Sequence, residues 1–168
     1  KSIHTVYSDT QSQDQRQDFT MIHEYPLEGK PPMMTHIYEN KAKERIIAAK
    51  GAPEAILNVC HLPSSEKNDI RSLIKSFGKQ GYRVLGVASA TFNDKEFPKK
   101  QQEFSFHFIG LIVFYDPPKE GISHVFQHIA EAGIQLKIIT GDNAETTKAI
   151  AEQAGIIIKS DPVEGKDI

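Results

Sequence analysis

A chain of 168 residues carrying 20 Lys+Arg against 22 Asp+Glu, for a net charge of −2, has room for one ordinary domain or two small ones. It presents no electrostatic case for nucleic acid or an anionic membrane surface. Its single cysteine, Cys60, excludes an internal disulfide and a CxxC metal site, and no apolar run approaches the roughly 20 residues that span a bilayer.

The opening residues 1–19 are rich in Gln, Asp and Ser, too polar for a signal peptide, and read as the tail of a helix followed by a solvated loop. Residues 19–25 and 34–38 predict strands separated by a Gly-Lys-Pro-Pro turn. Residues 45–50 return after 39–43, which completes an antiparallel hairpin. Pro53 suits the first position of a short helix, on which Ile56, Leu57 and Cys60 form a stripe that packs the thiol inward. Ile70, Leu73, Ile74 and Phe77, at i, i+3, i+4 and i+7, predict a helix over about 64–80 that Gly81 stops. Residues 82–91 follow as a strand, 93–103 as a charged loop containing Pro98, and 104–115 as a long apolar strand running into Asp116, Pro117 and Pro118.

Beyond that point the pattern changes. Ile122, Val125, Phe126 and Ile129 predict a helix ending at Gly133, and the alternation of Ile134, Leu136 and Ile138 predicts a strand. Ala144, Thr147, Ile150, Ala151 and Ala154 predict a further helix ending at Gly155, before another strand. The fold class expected is α/β: an α+β domain with an antiparallel sheet over residues 1–115, then part of a doubly wound parallel α/β domain over 116–168.

Several residues on this frame could carry chemistry. Thr140, Gly141 and Asp142 sit in a β-to-α loop, where a hydroxyl, free N–H groups and a helix N-terminus favour an anion; alternatively Asp142 or Asn143 simply caps the helix. Lys50 ends a strand beside Gly51, which permits close backbone approach. Its ammonium can aim into a pocket or simply face solvent. Arg83 opens a strand with a guanidinium fork suited to phosphate oxygens or to a surface ion pair. Asp116 is expected to cap a helix begun by Pro117 and Pro118, a stiff junction suited to a hinge. His124 and His128 are spaced i, i+4 but project opposite the apolar face, so no metal site is assigned. There is no GxxxxGK[ST] loop.

Taken in order, KGAPE (50–54), GYRVLGVA (81–88), DPPKEGI (116–122) and ITGDNAETTKAIAEQAGI (139–156) resemble the cytoplasmic part of P-type cation-transporting ATPases, haloacid dehalogenase-like proteins. The resemblance implies a nucleotide-binding domain over 1–115, lacking its beginning, and the start of a phosphorylation domain over 116–168. It implies ATP contact by Lys50, Gly51 and Arg83, a hinge at Asp116, Pro117 and Pro118, and a phosphoryl-facing role for Thr140, Gly141 and Asp142. The family's adenine pocket carries an aromatic in a Pro-Phe-Asp-Ser segment. Here Leu27 stands in its place, able to pack against a purine but without a π face, and the resemblance leaves Met34 or Tyr25 to compensate as an adenine contact.

The DKTGT segment that supplies the family's nucleophilic aspartate does not occur in these 168 residues. Neither do the later lysine and the GDGxND-type motif that hold the phosphoryl group and Mg²⁺. The expectation is therefore an ATP-binding cytoplasmic piece of an integral membrane pump. By itself it would be catalytically inactive and bind no metal, with Mg²⁺ needed only in the intact protein. Its partners would be ATP and the remainder of the pump: membrane part, actuator and remaining phosphorylation domain. A free-standing haloacid dehalogenase-type phosphatase is the first rival, but it would need two aspartates separated by one residue, and none are. A noncatalytic α/β interaction module is the second, and it leaves the Lys50 and Thr140 motifs unexplained.

Overall fold

A computed structural model describes residues 2–10, 15–94, 96–142, 144–158, 160 and 163. Helix α1 covers Ser2–Thr10, and the strands β1 Phe19–Glu28, β2 Met33–Asn40 and β3 Arg45–Gly51 follow. Then come α2 Pro53–Val59, α3 Ser64–Lys79, β4 Arg83–Ala90, β5 Phe106–Phe114, α4 Ile122–Glu131 and α5 Ala144–Gln153. The strands form one five-stranded sheet in the order β1-β2-β3-β4-β5, with β1, β2 and β3 paired antiparallel. The mixed α/β class and the hairpin read from the sequence are both present.

The chain divides into two compact units, residues 1–61 with 87–110 and residues 62–86 with 111–168, so the division falls within β4 and β5. In the first unit, alternation along β2 drives the core: Met33, Thr35 and Ile37 are buried while Met34, His36 and Tyr38 are not. Ile47 and Ala49 of β3, Ile56 and Leu57 of α2, Cys60, Phe104 and Phe106 complete that interior. Phe104 anchors an aromatic cluster, edge-on to Tyr25, Phe92 and Phe106 at centroid distances of 5.7, 5.2 and 5.8 Å. Cys60 is buried as its stripe predicted.

In the second unit, α3 packs on α5. Gly81, at φ +80°, ends α3 in the left-handed conformation that lets the chain turn into β4. A Cβ at Gly81 would come within 2.8 Å of the Gln153 amide nitrogen. The Tyr82 carbonyl accepts a hydrogen bond from Thr146 Oγ1 at 3.3 Å, and the Gln80 carbonyl accepts one from Gln153 Nε2 at 3.2 Å.

Three sequence expectations need correction. Leu73 lies half exposed beside buried Ile74, so the stripe read on α3 is narrower than expected. Asp116 caps no helix: residues 115–119 have no regular structure, and α4 begins only at Ile122, after Gly121 at φ +78°. The cause is local, since each of the two prolines disfavours helical backbone in the residue before it. Finally, residues 134–140 form no strand, and Ile139 is 97% exposed. Alternation there meets the side-chain requirement of a strand, but no strand among the described residues supplies the ladder.

Candidate nucleotide site

The register of the first three strands gathers the residues that the sequence had scattered. Met34 pairs with Lys50 across β2 and β3. On the other side, Tyr25 pairs with Thr35 and Glu28 with Met33, so Pro26 and Leu27 together stand opposite the single Met34. This bulge exposes Leu27, 63% accessible, at the rim of the sheet. Leu27, Met34 and Lys50 therefore form one row across the three strands, on the face turned away from the core.

Gly51 makes that row possible. A Cβ there would lie 2.5 Å from the Pro32 carbonyl oxygen and 2.6 Å from Met33 Cα, closer than any side chain tolerates. The Ala52 N–H donates to the same Pro32 carbonyl at 2.9 Å. The end of β3 is thus pinned against the β1–β2 turn, and exposed Lys50 projects beside it. Pro53 at the first turn of α2 then directs the chain inward, burying Ala55, Ile56 and Leu57.

Beneath the row lies a residue that no sequence pattern singles out. Gln101, fully buried, accepts from the Thr35 hydroxyl at 2.9 Å and donates to the Met33 carbonyl at 3.0 Å and the Pro26 carbonyl at 3.4 Å. One amide side chain ties β1 to β2 at the level of Leu27 and Met34. Its sequence context is a polar loop, so only the satisfaction of these buried groups reveals it.

Tyr25 is occupied by the core. It is 6% exposed, and its hydroxyl donates to the Pro98 carbonyl at 2.6 Å. Burial, assisted by the nearby Glu103 carboxylate, raises its pKa above the ordinary tyrosine value. Its ring is not available on the outer face, where Leu27 and Met34 are.

In the second unit, the Arg83 Nε donates to Asp142 Oδ1 at 3.1 Å. The Asp142 N–H donates to Thr140 Oγ1 at 3.1 Å, and the Thr140 hydroxyl donates to Asp142 Oδ2 at 3.4 Å. Arg83, Thr140 and Asp142 are therefore one polar cluster, with exposed Gly141 between the last two. The cluster edges a mostly apolar cavity of about 330 Å³ whose lining includes Pro118, Ile122, Phe126, Ile138 and Ile150. Asp116 and Pro117 are exposed and Pro118 half-buried. Asn143, the alternative helix cap, lies outside the described residues. His124 and His128 are both exposed on α4.

A family model described as P-type ATPase, cytoplasmic domain N, matches residues 3–121. The chain is 32% identical over 148 residues to a sodium/potassium exporting P-type ATPase of Schizosaccharomyces pombe, an alignment covering 82% of this chain and 14% of that protein. It is 29% identical over 161 residues to a calcium-transporting ATPase of Bacillus subtilis, covering 89% of this chain and 18% of that one. To the sodium/potassium exporting P-type ATPase 1 of Saccharomyces cerevisiae it is 32% identical over 162 residues, with 83% and 15% covered. The chain thus spans less than a fifth of the length of these relatives. No helix among the described residues is long and apolar enough to cross a membrane. The chain belongs to the P-type cation-transporting ATPases, and its residues 3–121 match their cytoplasmic domain N.

Proposed function

We propose that this chain is the ATP-binding part of a P-type cation pump whose intact form phosphorylates an aspartate to drive ion transport. On this reading residues 1–115 are the nucleotide-binding domain and 116–168 open the phosphorylation domain, with Asp116, Pro117 and Pro118 as the hinge. Lys50, Gly51, Leu27 and Met34 contact the nucleotide, Arg83 grips its phosphates, and Thr140, Gly141 and Asp142 face the transferred phosphoryl group. Mg²⁺ belongs to the intact pump and is assigned to no residue of this chain. The partners are ATP and the remainder of the pump.

The observation that carries the reading is the row of Leu27, Met34 and Lys50, set by strand register and by the close approach at Gly51. Two apolar side chains offer a surface to a base, and one ammonium offers charge to an anion. The test is an NMR titration of the 168-residue chain with ATP. The reading expects shifts at Lys50 and Gly51 and a Kd on the order of 0.1 to 1 mM. Lys50→Ala is expected to weaken binding by roughly 1 to 2 kcal/mol with no change in stability. An absence of shifts at Lys50 and Gly51 would overturn the reading.

A further inference from the structure

The outer face of β1, β2 and β3 continues beyond the Leu27–Met34–Lys50 row. Glu24 pairs with His36 and His36 with Ala48 in the next row, and Met21 pairs with Tyr38 and Tyr38 with Ile46 in the one after. His36 follows Met34 by two residues, on the same side of the strand and about 7 Å along it. It is a diagonal neighbour of Lys50, roughly 7 to 8 Å away between backbones. Its flank on β3 is Ala48, which adds no bulk.

The His36 ring is fixed at both nitrogens. Tyr38 Oη lies 3.2 Å from Nδ1, and Glu24 Oε1 lies 3.5 Å from Nε2. The Tyr38 ring braces it edge-on at 6.0 Å, and the imidazole keeps 24% of its surface accessible. A planar ring with its edge pinned and about a quarter of its side chain accessible is already ordered for stacking, so a base placed on it loses little side-chain entropy. Leu27 offers no such plane, and Tyr25 is committed to the core.

We infer that His36 is the base-stacking residue of the nucleotide site, held in position by Tyr38 and Glu24. The inference rests on the nucleotide-binding reading given above and adds to it where the purine lies: over β2, beside Met34 and diagonal to Lys50. Stacking acts on the base and leaves the phosphate chain untouched. The affinity for inorganic tripolyphosphate is therefore the internal control.

The experiment compares wild type with His36→Leu and His36→Phe, two substitutions that place an apolar side chain of adequate size at a mostly covered strand position. ATP and tripolyphosphate affinities are measured by calorimetry or by shifts at Lys50, with urea melting on each variant. His36→Leu is expected to weaken ATP about fivefold or more and to leave tripolyphosphate unchanged. His36→Phe, which keeps the plane and discards the nitrogens, should hold ATP within about twofold of wild type. Unchanged ATP affinity in His36→Leu, with the shifts at Lys50 and Gly51 intact, overturns the stacking role and leaves the nucleotide-binding reading standing. Equal loss in both variants overturns stacking in favour of a contact through the ring nitrogens. Wild-type protein that shifts at neither Lys50 nor Gly51 overturns the nucleotide-binding reading itself.

Discussion

The outer face of β1–β3 and the loop at Thr140 both collect residues suited to a nucleotide, but they are built differently. Met34 and Lys50 stand on paired strands whose opposite face is the core, and Leu27 stands beside them at the bulge of β1. Thr140, Gly141 and Asp142 follow a segment with apolar side chains in solvent and no strand partner among the described residues. The first group is held by packing underneath it, whereas the second is held by local hydrogen bonds among its own members and by the Arg83 ion pair. A motif alone fixes which groups can be near one another. A scaffold fixes where they point, and substitutions should therefore cost far more on the sheet than in the loop.

The largest expected effect is at Gly51. Gly51→Ala drives a methyl group into the Pro32 carbonyl and Met33 Cα, both backbone atoms with no freedom to swing away. We expect a loss of about 3 kcal/mol, which for a chain of this size lowers Tm by roughly 6 to 12 °C. ATP affinity should fall with it, because the Lys50 end of β3 must move. A variant with wild-type Tm would show that the turn yields easily and that the sheet site is no more rigid than the loop.

Next comes Gln101. Gln101→Ala leaves the Met33 carbonyl buried without its side-chain partner and the Thr35 hydroxyl without an acceptor, a cost of about 1 to 3 kcal/mol. If Gln101 holds the row and not only the fold, ATP affinity falls beyond what the unfolded fraction explains. Thr35→Val in the Gln101→Ala background should then cost less than Thr35→Val alone. That non-additivity, read from urea melts, is the signature of a shared hydrogen bond.

The loop supplies the contrast. Arg83 and Asp142 form an exposed pair, so a double-mutant cycle with Arg83→Ala and Asp142→Ala should give a stability coupling below about 1 kcal/mol. The coupling should shrink in 0.5 M salt, where exposed charges are screened. A larger, salt-insensitive coupling would mean that the loop is as firmly scaffolded as the sheet.

The same contrast explains what could be read in the sequence. Lys50 and Gly51 were legible because a strand ending in Lys-Gly ahead of Ala-Pro-Glu is a local pattern with a local cause. The row was not, because it depends on register and on a bulge at Pro26 and Leu27, which are pairings between distant segments. Gln101 was hidden because a buried amide and a solvated one look alike in a polar loop. The strand expected at Ile134, Leu136 and Ile138 failed for the opposite reason: its periodicity is local, but a strand requires a neighbour. On α5 the expected stripe of Thr147, Ile150, Ala151 and Ala154 lines the cavity, while the adjacent Thr146 and Ala149 are buried. Their small side chains suit a close approach between helices, a choice that hydrophobicity alone does not signal.

The smallest expected effect lies at the far end of the sheet and concerns acid. Glu39 accepts hydrogen bonds from Lys43 Nζ at 2.8 Å and Arg45 Nε at 3.1 Å, and these bonds, Lys43 first, hold its pKa below the ordinary glutamate value. Arg45 is itself braced, donating to the Asp94 carbonyl at 2.8 Å and lying 5.1 Å over the Phe97 ring. A carboxyl with a depressed folded-state pKa binds its proton less readily when folded than when unfolded. Its contribution to stability is therefore complete above the unfolded value of about 4.3 and is lost as pH falls through the lower folded value. Glu39→Gln removes that contribution. Between neutral pH and about pH 5 the variant should be slightly less stable than wild type, and the gap should close on further acidification. Urea midpoints measured at steps from pH 7 down to pH 3 test this. A gap that stays constant across the series would mean that the β2–β3 turn is held by the side chain's shape and not by its charge.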